Sequence, residues 1–142
     1  MTALGEGAPL AERIAGDRWW RVAHAFDTSL LGWLVLAPRR HVTALAELTD
    51  EEASALGPWP VRLSRALRTV TGCERTYVAQ FAEAAGFAHV HFHVVPQARD
   101  LPAELLGPRI FQLLGRSAVE QVSAVEREAF AAALAGALEG LD

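Results

Sequence analysis

The chain is short of three things, and each shortage excludes a class of protein. Its single cysteine, Cys73, allows no internal disulfide and no Cys-x-x-Cys ligand pair, which fits a reducing compartment. Basic residues number 13 against 17 acidic ones, a formal net charge of −4; a face that tracks a nucleic-acid polymer needs the opposite balance. Long apolar runs are also missing. The strongest, "LLGWLVLAP" ending at Pro38, is too short to span a bilayer. The start, "MTALGEGAPLAER", has no basic stretch leading into an apolar one, so no secretory signal is expected. These absences predict a soluble, cytoplasmic protein with no membrane and no nucleic-acid polymer as partner.

What is present suits one domain. The 142 residues are 51% hydrophobic, enough for one sizeable core. Residues 1–16, rich in Gly and Ala, read as a flexible lead-in to a single domain over 17–142. "WWRVAHAF" (Trp19–Phe26) and "WLVLAP" (Trp33–Pro38) read as two strands of a hairpin. "TDEE" (Thr49–Glu52) is a capping box that opens a helix. "GPWP" (Gly57–Pro60) breaks or kinks that helix, because two prolines remove two donors. The helix resumes over "VRLSRALRTVTG" and ends at Gly72. "RTYVAQF" (Arg75–Phe81) and "HVHFHVV" (His89–Val95) read as the third and fourth strands. A short helical piece is expected at "RIFQLLG". "SAVE" (Ser117–Glu120) reads as a second capping box. It opens a helix to about Leu138, with Val119, Val122, Val125, Ala129, Leu134 and Leu138 on one face. The order predicts an α+β fold with a mostly antiparallel sheet.

Three of the five histidines stand at alternate positions of one strand: His89, His91 and His93. Alternate strand residues share a face, so the three imidazoles project together while Val90, Phe92 and Val94 point into the core. Three uses of such a face compete. As core residues, each imidazole brings two nitrogens that need partners. As zinc ligands they need a fourth donor, with His41 and His24 as candidates, and they span more strand than one tetrahedral ion reaches. As a catalytic cluster they suit chemistry at phosphorus. A neutral imidazole is a nucleophile near pH 7, and neighbouring imidazoles oppose each other's protonation.

The pattern "HVHFHVV" resembles the signature of the histidine triad (HIT) family. "LLGWLVLAPRRHV" and "YVAQFAEAAG" extend the similarity upstream, so it covers about Asp17 to Gln97. The resemblance implies a HIT-like fold, a five-stranded antiparallel sheet with packed helices, in a homodimer whose sheets join. It implies a nucleotide hydrolase or transferase acting at the α-phosphorus of a nucleoside phosphoramidate or (di)nucleoside polyphosphate, without a cofactor or metal. His91 would attack phosphorus and form a nucleotidyl-histidine. His93 would hold the α-phosphate oxygens, and His89 and His41 would orient the nucleophile. Asp27 would contact the ribose hydroxyls, and Gln80 would reach the phosphates.

The chain departs from the family at "GFAH" (Gly86–His89), which lacks the polar side chains that many relatives place before the triad to help the leaving group. That keeps open a second reading, a nucleotide-binding protein with little turnover that acts through a partner. Elsewhere the bland readings prevail. Arg39 and Arg40 are solvated, His24 is structural, Cys73 is buried and Glu83 is an exposed loop carboxylate. Trp19, Trp20 and Trp33 pack the sheet or a dimer interface, while Trp59 stays exposed beside its prolines.

Overall fold

The computed structural model describes residues 8–81 and 89–142. Five strands form one antiparallel sheet: β1 (Ala15–Gly16), β2 (Trp20–His24), β3 (Leu34–Pro38), β4 (Thr76–Ala79) and β5 (Phe92–Pro96). Their spatial order is β1-β2-β3-β5-β4, so β5 lies between β3 and β4. Three helices accompany it: α1 (Asp50–Leu56), α2 (Pro58–Thr71) and α3 (Ala124–Glu139). None of the described helices is long and apolar enough to cross a membrane.

Strand alternation divides the sheet into two faces. Trp20, Val22, Leu34, Leu36 and Val94 face the helices, where they form the main core with Leu63 and Leu67 of α2 and Phe130 and Leu134 of α3. The opposite face carries Arg21, Ala23, Val35, Ala37 and His93. A smaller cluster covers its far end: Ala25, Trp33 and Val95 pack under Ile110, with Phe111 and Leu113 against them. These last three lie in a 3-10 turn over Gly107–Leu113, where a short helical piece is expected.

Most local signals act as the sequence predicts. Thr49 and Glu52 form a reciprocal capping box on α1. Glu52 is also buried and accepts two hydrogen bonds from Arg40, at 2.8 and 3.1 Å. Arg40 and the Thr49 N–H together hold its carboxyl down at about 2. Arg40 is therefore a paired residue rather than merely a solvated one. "GPWP" does break the helix, but α2 begins at once with Pro58 at its start, where a proline's missing N–H is harmless. Gly72 caps α2 in the left-handed conformation, φ 75°, and Cys73 is buried.

Four expectations need correction. Trp59 is buried, 8% exposed, because its indole N–H reaches the Asp17 carboxylate at 2.9 Å. From Leu10 onward the lead-in is packed rather than loose: the Leu10 and Ala11 N–H groups donate to Glu128 of α3, and Ala11 and Ile14 enter the core. The strand expected from His89 is β5, which starts at Phe92, so His89 and His91 stand just before it. The last helix starts at Ala124, not at the first "SAVE". The same four letters recur at Ser123–Glu126, and that copy is the capping box. Ser117–Glu120 is a turn, closed by the Glu120 N–H donating to the Ser117 carbonyl at 2.9 Å. Val119 and Val125 are consequently exposed, 94% and 79%. The buried stripe is Phe130, Ala131, Leu134 and Leu138.

The two copies of "SAVE" make a controlled pair. Ser123→Ala is expected to cost about 1 kcal/mol, the usual value of a lost N-cap. Ser117→Ala, on an exposed turn, is expected to stay within about 0.5 kcal/mol of wild type. Urea unfolding of both variants measures the difference.

Candidate active site

The histidines meet on the sheet face away from the helices, beside the Ile110 cluster. Register sets the layout: Val35 pairs with His93 on one side and Ala23 on the other, and Ala79 flanks His93 from β4. Val90 and Val94 are fully buried and Phe92 packs against the helix-side core, as the alternation requires.

Each imidazole's tautomer follows from its neighbours. The Trp33 indole N–H donates to His93 Nδ1 at 3.0 Å. Tryptophan can only donate, so His93 Nδ1 bears the lone pair and Nε2 bears the proton. His93 is buried, 7% exposed. Burial, followed by the charge of His91, pushes its pKa down to about 4. His93 is thus a neutral N–H donor at neutral pH. Its ring lies 4.8 Å from that of His91, edge to face.

His91 is turned the other way. Its Nδ1–H donates to the His89 carbonyl at 2.8 Å, which leaves the Nε2 lone pair free. A carbonyl on Nδ1 also stabilises the positive charge that the ring acquires when Nε2 forms a bond. Side by side, His91 therefore offers a nucleophilic lone pair and His93 offers a hydrogen-bond donor.

His89 accepts from the Val42 N–H at 3.3 Å, and the Val90 N–H donates to the Val42 carbonyl at 2.6 Å. These bonds tie the start of the triad to the segment after β3. Burial, then the adjacent His41, lowers the His89 pKa. His41 stacks on His89 with centroids 5.0 Å apart and 12° between planes. It thus joins the cluster through His89. Asp27 lies in the β2–β3 connection, where its carbonyl accepts from the Arg116 N–H at 2.9 Å. Gln80 follows Ala79, the β4 partner of His93. Among the described residues, no hydrogen bond joins Asp27 or Gln80 to a histidine. "GFAH" up to Ala88, and Glu83, lie outside the described residues.

His24 is structural, as expected. Its Nδ1–H donates to the Ala25 carbonyl at 2.7 Å and its Nε2 accepts the Gly32 N–H at 2.8 Å, so both nitrogens are satisfied and burial lowers its pKa. Gly32 has φ 102°, and a Cβ there would meet Pro96 and Phe130. The loop that leads into Trp33 is thereby fixed.

Trp33 and Phe111 are the site residues that sequence reasoning misses. Phe111 stands edge-on to both His93 and Trp33, at 4.9 and 5.2 Å, and to the exposed Phe81 at 5.4 Å. Trp33 has the strand parity of Val35 and Ala37, which is the available signal, but its partner depends on which strand pairs with β3. Open depressions elsewhere, such as one lined by Glu74, Arg75, Gln97 and Arg99, contain no comparable cluster. Among the described residues, no group of three or more His, Cys, Asp or Glu is placed to hold a metal ion.

No protein-family model matches the chain, and no curated protein matches it. Solved structures share its fold. A histidine triad protein from Marinobacter aquaeolei has a TM-score of 0.71 at 21% identity, over 95% of this chain and 90% of that one. A zinc-bound histidine triad family protein from Mycobacterium smegmatis has a TM-score of 0.68 at 22% identity, over 97% and 89%. A hypothetical histidine triad nucleotide-binding protein from Sulfolobus tokodaii has a TM-score of 0.69 at 12% identity, over 92% and 85%. The fold is that of the histidine triad proteins, α+β with a five-stranded antiparallel sheet.

Two outcomes follow from the tautomers. Trp33→Phe keeps the ring but strands His93 Nδ1; it is expected to cost about 1–3 kcal/mol and to remove the pure Nε2–H signature of His93 from side-chain ¹⁵N spectra. The pH dependence also has a definite sign. His93 sits at about 4 in the fold against 6.5 ordinarily, and His24 and His89 are lowered too. The unfolded chain therefore binds more protons across this window, and stability is full above about pH 6.5 and falls toward about pH 4. Urea midpoints measured from pH 7 to 4 are expected to decline.

Proposed function

We propose that this chain is a histidine triad family nucleotide hydrolase or transferase that works through a nucleotidyl-histidine at His91. The observation that carries the reading is the opposed polarity of His91 and His93: a free Nε2 lone pair next to a fixed, neutral Nε2–H donor. In the first step the His91 Nε2 lone pair forms an N–P bond at the α-phosphorus. The bond from phosphorus to the leaving group breaks, and its electrons depart with that group. His93 donates to a phosphate oxygen and steadies the charge there. Water then attacks the same phosphorus, the N–P bond breaks, the nucleoside monophosphate leaves and the water's proton passes to solvent. An alcohol or phosphate in place of water makes the reaction a transfer.

His89 and His41 position His91, the first through its carbonyl and the second by stacking on the His89 ring. Phe81 and Phe111 offer a base an aromatic surface beside His93. Asp27 is assigned to the ribose hydroxyls and Gln80 to the phosphates, on the family resemblance. The nucleotide is supported by the resemblance and by the likeness to a histidine triad nucleotide-binding protein. A cytoplasmic homodimer is the assembly proposed. β4 is a sheet edge, and Val78 on it and Val61 on α2 are 47% and 49% exposed, the kind of surface on which two sheets join. The absence of polar side chains before His89 favours a second reading, nucleotide binding with little turnover.

Turnover of an adenosine phosphoramidate, a diadenosine polyphosphate and an ADP-linked compound, by wild type and His91→Ala with and without EDTA, tests the proposal. Expected is activity that falls at least about 10³-fold in His91→Ala and is indifferent to EDTA. Nucleotide binding without turnover by wild type would establish the second reading, and loss of activity with EDTA would establish metal-dependent hydrolysis.

A further inference from the structure

A cationic pair lies across the sheet from the nucleophile. Arg21 pairs with Ala37. Continued one residue past Leu36 and Phe92, the β3–β5 register sets Ala37 opposite His91. Arg21 and His91 thus occupy one row of the face away from the helices, about 10 Å apart, or two strand spacings. Among the described residues the side chain between them is Ala37, small and itself buried. Ala23 and Val35 occupy the neighbouring row, so the floor from Arg21 to the histidines is small and apolar. The Arg21 guanidinium is near enough for its charge to bear on His89.

Arg21 also has no anionic partner among the described residues: it makes no ion pair and donates no side-chain hydrogen bond there, and its Nε is buried without a partner. A second cation, Arg39, stands beside it and adds to the cost of its charge. Arg39 donates through Nε to the Asp17 carbonyl at 2.7 Å and lies over Gly16, where a Cβ would meet its Nη2 at 2.5 Å. The Asp17 carboxylate accepts from the Trp19, Trp20 and Trp59 N–H groups and lies near enough to Arg39 to feel its charge, so Arg21 is the less neutralised of the two. Two guanidiniums side by side, one half-buried with a free donor, form a site for an external anion.

We propose that Arg21, with Arg39 behind it, binds the leaving group, and that this leaving group is an oxyanion, a phosphate chain or a sulfate. The inference rests on the nucleotidyl-histidine reading and names its substrate class. When His91 Nε2 bonds to the α-phosphorus, the bridging P–O bond breaks and the electron pair stays on the departing oxygen. A departing phosphate or sulfate is stable as an anion and needs no proton, only a cation to hold its charge. A departing amine must be protonated. The segment before His89, "GFA", carries no polar side chain to supply that proton, whereas Arg21 supplies the charge that an oxyanion requires.

Calorimetric titration of the full chain with inorganic pyrophosphate, with sulfate and with adenosine monophosphate tests this, using wild type, Arg21→Gln and Arg21→Lys of verified thermal stability. Wild type is expected to bind pyrophosphate. Arg21→Gln should bind it at least about tenfold more weakly, the effect of one lost charged hydrogen bond, while Arg21→Lys recovers part of the loss and adenosine monophosphate shifts less than about twofold. Sulfate binding with the same Arg21 dependence would assign a single tetrahedral oxyanion; pyrophosphate binding alone would assign a phosphate chain. Pyrophosphate affinity equal in wild type and Arg21→Gln, or absent from wild type, would overturn the proposal. An equal loss for adenosine monophosphate would also overturn it, by placing Arg21 on the α-phosphate. Arg21-dependent pyrophosphate binding without any adenosine monophosphate binding would uphold the anion site and reject the nucleotide reading.

Discussion

The hydrogen bond from Trp33 to His93 is the constraint on which the site depends. An indole N–H only donates, so it dictates which nitrogen of His93 keeps its proton, and burial removes the charged alternative. Trp33 is itself immobilised, fully buried among Val95, Ile110 and Phe111 and preceded by a loop that His24 and Gly32 lock. The His89 carbonyl imposes the opposite tautomer on His91. Two adjacent imidazoles with opposed polarity result from backbone geometry and one tryptophan, with no carboxylate among the described residues bonded to either ring.

The sheet separates stability from chemistry. Its helix side carries the larger core, sealed by α2 and α3. Among the described residues, the 3-10 turn over Gly107–Leu113 covers its other side at the Trp33 end. Antiparallel register then delivers His93, His91 and Arg21 to this same face. The small residues Ala23, Val35 and Ala37 leave that surface low. In the proposed reading a substrate lies across the strands, its phosphorus at the histidines and its leaving group toward Arg21.

Local chemistry was legible in the sequence where one short pattern decides one structure. The Thr49–Glu52 box, the break before Pro58, Gly72 as a cap and the alternation of Val90, Phe92 and Val94 are of this kind. The repeated "SAVE" shows the limit. Both copies satisfy the capping rule, and the selection is tertiary: Val122, buried, donates its N–H to the Thr28 carbonyl, which holds the chain extended just before Ser123. Trp59 likewise reads as exposed until Asp17, distant in sequence, is brought to its N–H. The site residues divide in the same way. The triad declares itself by spacing, while Trp33 and Arg21 acquire their roles only through the order β2-β3-β5, and Phe111 only through the packing of its turn on Trp33 and His93, which no local pattern encodes.

The central claim is that His91 takes the nucleotidyl group before water does, and the stereochemical course at phosphorus tests it most directly. Each in-line displacement inverts the centre. A substrate made chiral at the α-phosphorus by sulfur and oxygen-isotope substitution, hydrolysed and analysed for product configuration, is expected to show overall retention, the sum of two inversions. Net inversion would mean a single direct attack by water and would contradict the account.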